Sequence, residues 1–293
     1  MPQLILLEAA RKIFKLHGFS GSMLEEAIPY VRDFRGKLIV LKIGGSIIED
    51  SAVEREFIDD VAFMMEIGIK LVLVHGGGKH LTAELQKRGI QSTFVHGLRV
   101  TTEETIETAE YVFKGINHRL AGELKSEKVK AHAYDRNDKL IHAKRINDEL
   151  GFVGAPIGID TDKIKDLLTQ GNIPIVPALG FEDEQILNIN ADTVAGFIAQ
   201  ELKAEKLILM TDVDGICNDK GELISTIDEA GVEQLIGEGT IRGGMIPKVQ
   251  TCLQALREGI GKAHIINGSG RTFVNEVLTD KGVGTQIIHN KKA

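Results

Sequence analysis

Two glycine-rich turns, each directly after a run of leucine and β-branched residues, constrain this chain most. Residues 38–46 read LIVLKIGGS, and residues 71–78 read LVLVHGGG. A strand that ends in glycines and leads into a helix presents backbone N–H groups at the helix N-terminus, where anions bind well. Neither turn has the spacing of a P-loop or of a dinucleotide-binding turn. As a pair they predict a cradle for phosphate groups, although each alone also fits a tight turn that binds nothing.

Composition bounds the class of protein. The chain has 293 residues, with 43% hydrophobic and 26% charged side chains and a formal net charge of −7. These values are typical of one large domain or two lobes, and the negative charge argues against nucleic-acid binding. The two cysteines, Cys217 and Cys252, form no C-x-x-C pair, which indicates a reducing compartment and no thiolate metal site. No apolar run is long enough to span a membrane, and the start does not read as a signal peptide. We therefore expect a cytoplasmic protein without a membrane partner.

The hydrophobic pattern predicts a helical arm followed by alternating strands and helices. Residues 1–36 read as two amphipathic helices, 4–17 and 22–34, with Pro29 inside the second. This arm packs either on the chain's own surface or against another subunit. From Lys37 onward, strands rich in valine and isoleucine alternate with helices, which predicts an α/β fold with a mainly parallel sheet covered by helices on both faces. The main predicted strands are 38–43, 70–75, 173–176, 187–189, 207–211, 262–267 and 285–289, with short strands and turns over 128–163. The main predicted helices are 51–67, 79–88, one capped by Thr101 and Thr102 that runs to about 125, 162–170, 191–203, 229–237 and 246–258.

Lys42 and Lys248 are the strongest candidates for handling phosphate. Lys42 ends the first predicted strand beside two glycines, at the sheet edge where ligands of α/β proteins bind. Lys248 follows another glycine-containing segment, GGMIP (243–247), at the start of a predicted helix. A lysine is a point cation suited to phosphate oxygens and to the charge on a phosphoryl group in transfer. Asp192 falls in the first turn of another predicted helix, where it caps the helix, holds two lysines in position or assists a metal.

Further candidates lie at the ends of other predicted strands. Asn188 offers an amide donor to an anionic substrate, and Arg99 is either a fork for a substrate carboxylate or a member of a surface ion pair. Thr211 and Asp212 follow another apolar strand, again at the edge where ligands bind. His75 reads as a hydrogen-bonded structural residue, and no Ser-His-Asp or Cys-His arrangement is evident. This inventory favours positioning and charge neutralisation over general-base catalysis.

In their order along the chain, these motifs resemble those of the amino acid kinase superfamily, and within it the kinases that act on N-acetylglutamate. The similarity covers about residues 23–289. The resemblance implies a three-layer αβα sandwich with an acylamino-acid-binding lobe at 37–205 and an ATP-binding lobe at 206–293. It also implies phosphorylation of the γ-carboxylate of N-acetyl-L-glutamate, in arginine biosynthesis. The motifs are KIGGS (42–46), HGGG (75–78), GLRVT (97–101), GFVG (151–154), NINAD (188–192), LMTDV (209–213), GGMIPK (243–248) and GVGT (282–285).

The same resemblance implies roles for particular residues. Lys42 and Lys248 stabilise the transferring phosphoryl group, and Asp192 organises both lysines. Mg²⁺ arrives with ATP, without a dedicated metal site on the protein. Lys79 and His80 depart from the proline that is usual after the second glycine turn. The implied substrate-binding positions are Gly44, Gly45, Gly76, Gly77, Gly78, Arg99 and Asn188, and the implied nucleotide-binding positions are Thr211, Asp212 and Lys248.

The resemblance extends to the arginine-inhibited members of the superfamily. Their N-terminal helix interlaces dimers into a hexameric ring and helps to form the arginine site, at positions matched here by Tyr30, His264 and Glu276. We therefore expect arginine as an inhibitor and a homo-oligomer, either a dimer or a hexamer of dimers. The loop at 267–271 departs from the usual composition. Two alternatives stay open: a non-catalytic regulatory domain that binds arginine or another amino acid, like the kinase-like half of N-acetylglutamate synthases, and a kinase for a related acylamino acid such as N-acetylaminoadipate.

Overall fold

The described part of the N-terminal arm packs on the body of its own chain. A computed structural model describes residues 21–269, 272–280 and 282–289. The predicted helix at 4–17 and the last residues of the loop at 267–271 lie outside the described residues. Helix α1 (Gly21–Phe34) contacts α10 (Thr272–Leu278), and its Ala27 and Val31 are buried. Of the two placements considered for the arm, the described part adopts packing on the chain's own surface.

The core of the fold is an eight-stranded sheet. Its strands are β1 (Leu38–Ile43), β2 (Lys70–His75), β5 (Ala131–Ala133), β8 (Ile173–Pro177), β11 (Lys206–Thr211), β12 (Thr226–Asp228), β13 (Lys262–Asn267) and β14 (Thr285–Ile288). They lie in the order β12-β14-β13-β11-β1-β2-β8-β5, and neighbours are parallel except β13 and β14. The middle strands are almost wholly buried leucine and β-branched residues, as expected of a parallel sheet covered on both faces.

Helices cover both faces of this sheet, so the predicted three-layer αβα arrangement is confirmed. The remaining helices are α2 (Gly45–Glu49), α3 (Ser51–Glu66), α4 (Gly78–Lys87), α5 (Glu103–Ser126), α6 (Thr161–Thr169), α7 (Ala191–Glu201), α8 (Glu229–Gly237) and α9 (Met245–Arg257). On one side α3 contacts α5 and α10, and on the other α7 and α9 contact each other and the strands β1, β11 and β13. Over the described ranges, no helix is both long and apolar enough to cross a membrane.

A smaller sheet and a hairpin extend the fold beside the central sheet. The strands β6 (Ile141–Arg145), β7 (Gly154–Ile159), β9 (Leu179–Glu182) and β10 (Gln185–Asn188) form a four-stranded sheet in the order β10-β9-β6-β7, and β3 (Phe94–Val95) pairs with β4 (Leu98–Arg99). The predicted elements omit β3, β4, β9, β12, α2 and α10. Each of these has only two to seven residues, too few for a hydrophobic period to be recognised.

The strand order brings the two glycine-rich turns side by side. β1 pairs with β2 so that Ile43 lies opposite His75, and with β11 so that Lys42 lies opposite Leu209. The three strands run in the same direction, so their carboxyl ends meet at one edge of the sheet, where α/β proteins bind ligands. This single sheet also joins the two predicted lobes, because β1 belongs to the first of them and β11 to the second.

Candidate active site

Two lysines meet on one carboxylate at this edge of the sheet. Lys42 Nζ lies 3.0 Å from Asp192 Oδ1, and Lys248 Nζ lies 2.6 Å from Asp192 Oδ2. The side chains of Asp192, Lys42 and Lys248 are only 6%, 12% and 18% exposed. They come from α7, β1 and α9, three elements far apart in the sequence. The structure thus brings together the three residues to which phosphoryl transfer was assigned from the sequence.

Asn190, rather than Asp192, caps helix α7. The Asn190 side-chain oxygen accepts hydrogen bonds from the backbone N–H groups of Asp192 at 2.8 Å and of Thr193 at 3.2 Å. These bonds satisfy donors of the first helical turn. The Asp192 carboxylate is therefore left for the lysines, and the capping role considered for it from the sequence is wrong.

A glycine sets the distance between α7 and α9. A Cβ atom at Gly196 would lie 2.6 Å from Cγ2 of Thr251, a separation that side chains do not adopt. Gly196 is one turn beyond Asp192 in α7, and Thr251 is three residues beyond Lys248 in α9. The close approach of the two helices at this point carries the Lys248 ammonium onto the Asp192 carboxylate.

The cluster has one positive charge in excess. Burial lowers the pKa of Lys42, an effect that Asp192 opposes and Lys248 reinforces. Burial raises the pKa of Asp192, but the two ammonium groups outweigh burial and hold that pKa below its ordinary value. Asp192 is therefore ionised at neutral pH and compensates only one of the two lysines. The remaining charge attracts an anion to the cluster.

The cluster forms one wall of a cleft of about 300 Å³. Leu81, Phe113 and Val153 supply apolar surface to the same cleft. Most of the residues predicted to bind substrate lie there as well: Gly45, Gly76, Gly77, Gly78, Arg99 and Asn188.

Three helices begin at glycines in this region without a side-chain cap. They are α2 at Gly44, α4 at Gly77 and α9 at Gly244. Their first backbone N–H groups are thus left for a ligand, and helix N-termini favour anions. Four other helices do have a side-chain cap, which accepts hydrogen bonds from backbone N–H groups of the first turn. Asp50 caps α3, Thr102 caps α5, Asn190 caps α7 and Asp228 caps α8.

Arg99 is fixed by neutral groups beside the cleft. Its guanidinium donates to Thr82 Oγ1 at 2.8 Å, to the carbonyl oxygen of Gly78 at 3.1 Å and to the hydroxyl of Ser92, and it lies 4.7 Å from the centre of the Phe94 ring. Among the residues that the structure describes, no carboxylate pairs with Arg99. The surface ion pair considered from the sequence is not formed there, and the charge is available to a carboxylate in the cleft.

Asn188 is held beside Arg99 through a shared neighbour. Its Nδ2 donates to Thr101 Oγ1 at 3.2 Å, and Thr101 Oγ1 donates to the carbonyl oxygen of Arg99 at 2.9 Å. The amide of Asn188 and the guanidinium of Arg99 therefore reach the cleft from linked positions at the ends of β10 and β4.

Gly44, Thr211 and Asp212 do not line this cleft. A Cβ atom at Gly44 would lie 2.6 Å from the carbonyl oxygen of Met210, so this glycine allows the first turn to lie directly against β11. Thr211 and Asp212 end that strand, and Thr211 Oγ1 donates to Asp212 Oδ1 at 3.1 Å. The three residues thus lie beside the cleft, where β1 and β11 end.

A second cleft of about 430 Å³ follows β11 in the chain. Asn218, Arg242 and Met245 are among the residues that line it. Met245 is the first residue of α9, whose first turn also carries Lys248, so the two clefts meet at one helix N-terminus. This second cleft was not predicted from the sequence because, apart from Met245 in GGMIPK, its lining residues lie in loops outside the recognised motifs.

The residues matched to an arginine site lie where α1, β13 and α10 meet. His264 Nδ1 lies 2.6 Å from Glu276 Oε1, and the Tyr30 hydroxyl donates to Asp280, just beyond α10. Burial lowers the pKa of His264 to about 4, and the hydrogen bond to Asp280 raises the pKa of Tyr30 to about 12. Lys206, which the sequence analysis did not single out, lies buried nearby with its pKa lowered by burial to about 8.

His75 is a structural residue, as predicted. Its Nδ1 lies 2.8 Å from the carbonyl oxygen of Gly76, its Nε2 lies 3.3 Å from Asn117 Oδ1, and burial lowers its pKa to about 4. Nowhere in residues 21–269, 272–280 and 282–289 are three or more histidine, cysteine, aspartate or glutamate side chains grouped to hold a metal ion. Cys217 and Cys252 are both free thiols.

Comparison with known proteins places this geometry in context. The model of the amino acid kinase family matches residues 37–267. The acetylglutamate kinase of Desulforamulus reducens is 41% identical over 278 residues, which cover 92% of this chain and 97% of the relative. That of Aquifex aeolicus is 40% identical over 288 residues, covering 91% and 97%. Among solved structures, N-acetylglutamate synthase from Neisseria gonorrhoeae, complexed with coenzyme A and N-acetylglutamate, matches with a TM-score of 0.82 and 26% identity over 93% of this chain and 63% of the synthase.

Proposed function

The chain belongs to the amino acid kinase family, and on that basis we propose that it transfers the γ-phosphoryl group of ATP to the γ-carboxylate of N-acetyl-L-glutamate, in arginine biosynthesis. Relatives named acetylglutamate kinase, about 40% identical over nine-tenths of the chain, support this reaction. The observation that carries the chemistry is the pair of lysines on one carboxylate beside a cleft with an available arginine.

Phosphoryl transfer needs positioning and charge neutralisation more than it needs a base. The γ-carboxylate of the substrate is already ionised at neutral pH, so it attacks phosphorus directly as the bond to the ADP oxygen breaks. Lys42 and Lys248 stabilise the charge spread over the phosphoryl oxygens, and Asp192 holds both ammonium groups in place. Their excess positive charge offsets the charge that develops during transfer.

The acyl substrate lies in the first cleft in this proposal. Arg99 binds the α-carboxylate through its planar fork, and Asn188 donates to the same end of the molecule. The apolar wall formed by Leu81, Phe113 and Val153 accommodates the carbon chain. An acylamino acid with one more methylene, such as N-acetylaminoadipate, is the related substrate to compare.

ATP lies across the boundary of the two clefts in this proposal. The uncapped starts of α4 and α9 donate backbone N–H groups to the phosphates, Thr211 and Asp212 face the nucleotide, and the second cleft receives the base. Mg²⁺ enters with the ATP phosphates, as membership of this kinase family implies. Asp212, at the end of β11, would offer a carboxylate oxygen to that ion.

The direct test is formation of an acyl phosphate. Purified protein is incubated with ATP, Mg²⁺ and N-acetylglutamate, and hydroxylamine traps the product as a hydroxamate; parallel reactions contain N-acetylaminoadipate or glutamate. We expect hydroxamate with N-acetylglutamate at a kcat/KM at least about tenfold above that with its longer homologue. Absence of hydroxamate with every acylamino acid, together with retained binding of arginine, would favour the non-catalytic regulatory domain instead.

We also propose that arginine inhibits the enzyme by binding where α1, β13 and α10 meet. Asp280 places a carboxylate there, and Tyr30 donates to it from the N-terminal arm. Glu276 adds a second, buried carboxylate, which contacts His264 and accepts from the backbone N–H groups of Val283 and Gly284. Calorimetric titration with arginine tests this, with Glu276→Gln as the variant expected to weaken binding. Cytoplasmic location and assembly into a dimer or a hexamer of dimers stay predictions.

A further inference from the structure

Lys79 occupies a position that helix electrostatics disfavours. It is the second residue of α4, and a cation in the first turn of a helix is opposed by the helix dipole. The start of this helix borders the cleft through Gly77 and Gly78. Neither burial nor apolar packing explains the lysine, because its side chain is 68% exposed.

The Lys79 ammonium pairs with a carboxylate on another helix. Its Nζ lies 2.8 Å from Oε2 of Glu49, the last residue of α2. Glu49 also folds back over the start of its own helix, since its Oε1 lies 3.0 Å from the point at which a side chain on Gly45 would begin. One ion pair therefore bridges the two helices whose first residues, Gly45 and Gly78, line the cleft.

A second contact on α2 comes from α5. Arg119 in α5, whose side chain is 42% exposed, donates to the carbonyl oxygen of Ile48 at 2.9 Å and pairs with the buried Glu54 at 2.8 Å. This five-residue helix is thus held by Arg119 from α5 and by Lys79 from α4. The contact with Lys79 is the one that joins it to the second glycine turn.

We propose that Lys79 is a positioning residue whose ion pair with Glu49 holds the starts of α2 and α4 at the separation that phosphoryl transfer requires. The inference rests on the proposed kinase activity. An exposed ion pair contributes little to the stability of a fold. We therefore expect its loss to leave the fold intact and to be seen in the geometry of the two glycine turns and in kcat.

A double-mutant cycle tests this proposal. The variants are Lys79→Met, Glu49→Gln and the two combined, and the matched control is Lys87→Met, which removes an exposed lysine paired with Glu84 at 3.7 Å at the far end of the same helix. We expect each of the three test variants to lower kcat by about fivefold, with the double variant no worse than the single ones, because all three lose the same contact. The control keeps the wild-type kcat.

Hydrogen–deuterium exchange supplies a readout that does not depend on activity. Amides in residues 45–49 and 78–82 should exchange at least about threefold faster in the three test variants, and at the wild-type rate in Lys87→Met. Unchanged exchange in both segments overturns the bridge, and a wild-type kcat with faster exchange overturns its role in catalysis. A loss of kcat in Lys79→Met alone, with Glu49→Gln like wild type, also overturns the proposal, because Lys79 would then act without Glu49. Should the wild-type protein form no acyl phosphate, the proposed kinase activity fails while exchange still decides whether the bridge exists.

Discussion

Replacing Asp192 with asparagine should damage both stability and catalysis, because two buried ammonium groups then face each other without a carboxylate. The two lysines bind opposite oxygens of one carboxylate, at 3.0 and 2.6 Å, so their charges lie within about 8 Å of each other. At that separation and an effective dielectric constant of about 20, their repulsion is about 2 kcal/mol. Removing one member of a buried ionic cluster generally costs about 3–5 kcal/mol. We expect Asp192→Asn to lower the free energy of unfolding, relative to wild type, by an amount in that range.

The pH dependence of this loss identifies its cause. Burial already places the pKa of Lys42 below its ordinary value of 10.5, and removal of Asp192 lowers it further. Between the folded and unfolded pKa values, the unfolded chain binds more protons than the folded one, so the free energy of unfolding rises with pH. The deficit of Asp192→Asn relative to wild type should therefore shrink as the pH rises from about 7 to about 10.

Urea unfolding of the two proteins at both pH values measures the deficit, and the hydroxamate assay measures kcat, which we expect to fall by about 10²–10³-fold. Asp212→Asn serves as the stability control, because it removes an exposed carboxylate at the same sheet edge and should change the free energy of unfolding by less than about 0.5 kcal/mol. A deficit of equal size at both pH values, or no deficit at all, would refute the electrostatic reasoning.

The structure supports three further predictions. Arg99→Lys should raise KM for N-acetylglutamate about tenfold, with a smaller effect on kcat, because an ammonium group cannot reproduce the two parallel hydrogen bonds of a planar guanidinium. Initial rates measure both constants, and an unchanged KM would contradict the assignment. Gly44→Ala should lower the free energy of unfolding, measured in urea, by about 1–3 kcal/mol, because the new Cβ would meet the carbonyl oxygen of Met210. Gly78→Ala, with open space around it, should not lower that free energy. Equal effects of the two substitutions would exclude the steric cause. Lys206→Met should stabilise the protein at pH 7 by about 2 kcal/mol, since the buried ammonium has a pKa of about 8. It should also reduce the rise in unfolding free energy between pH 8 and 10.5 to the part that Lys42 contributes. A rise of wild-type size in the variant would assign it to another group.

The central sheet could be predicted because its strands carry their own signal. β1, β2, β8, β11 and β13 consist mainly of leucine and β-branched residues, so their existence follows from the sequence alone. Their spatial order is a different kind of information. Nothing local tells that β11 rather than β8 lies beside β1, since both strands have the same character, and the choice is decided by packing across the whole chain.

The same distinction applies to the site. Lys42, Lys248 and Asp192 were identified from residue type and place in the chain, but their meeting depends on two contacts that are not local. Asn190 takes over the cap and so frees Asp192, and Gly196 lets α7 approach α9. The sequence carried a signal for each of them, an asparagine two residues ahead of the aspartate and a glycine among small residues one turn beyond it. The bridge between Lys79 and Glu49 had no such signal, because the two residues are 30 positions apart on helices of which one was not predicted.

The backbone pairing of β1 with β11 limits how this molecule opens and closes. Four successive residue pairs, from Ile39 with Lys206 to Lys42 with Leu209, lock the first half of the chain to the second in mid-sheet. A hinge between the halves would have to break that ladder at its most buried point. We therefore expect substrate binding and product release to involve small changes in the twist of the whole sheet and movements of the peripheral loops. It follows that neither half, expressed separately, would retain half of the turnover: each would expose a bare strand and lack one of the two lysines.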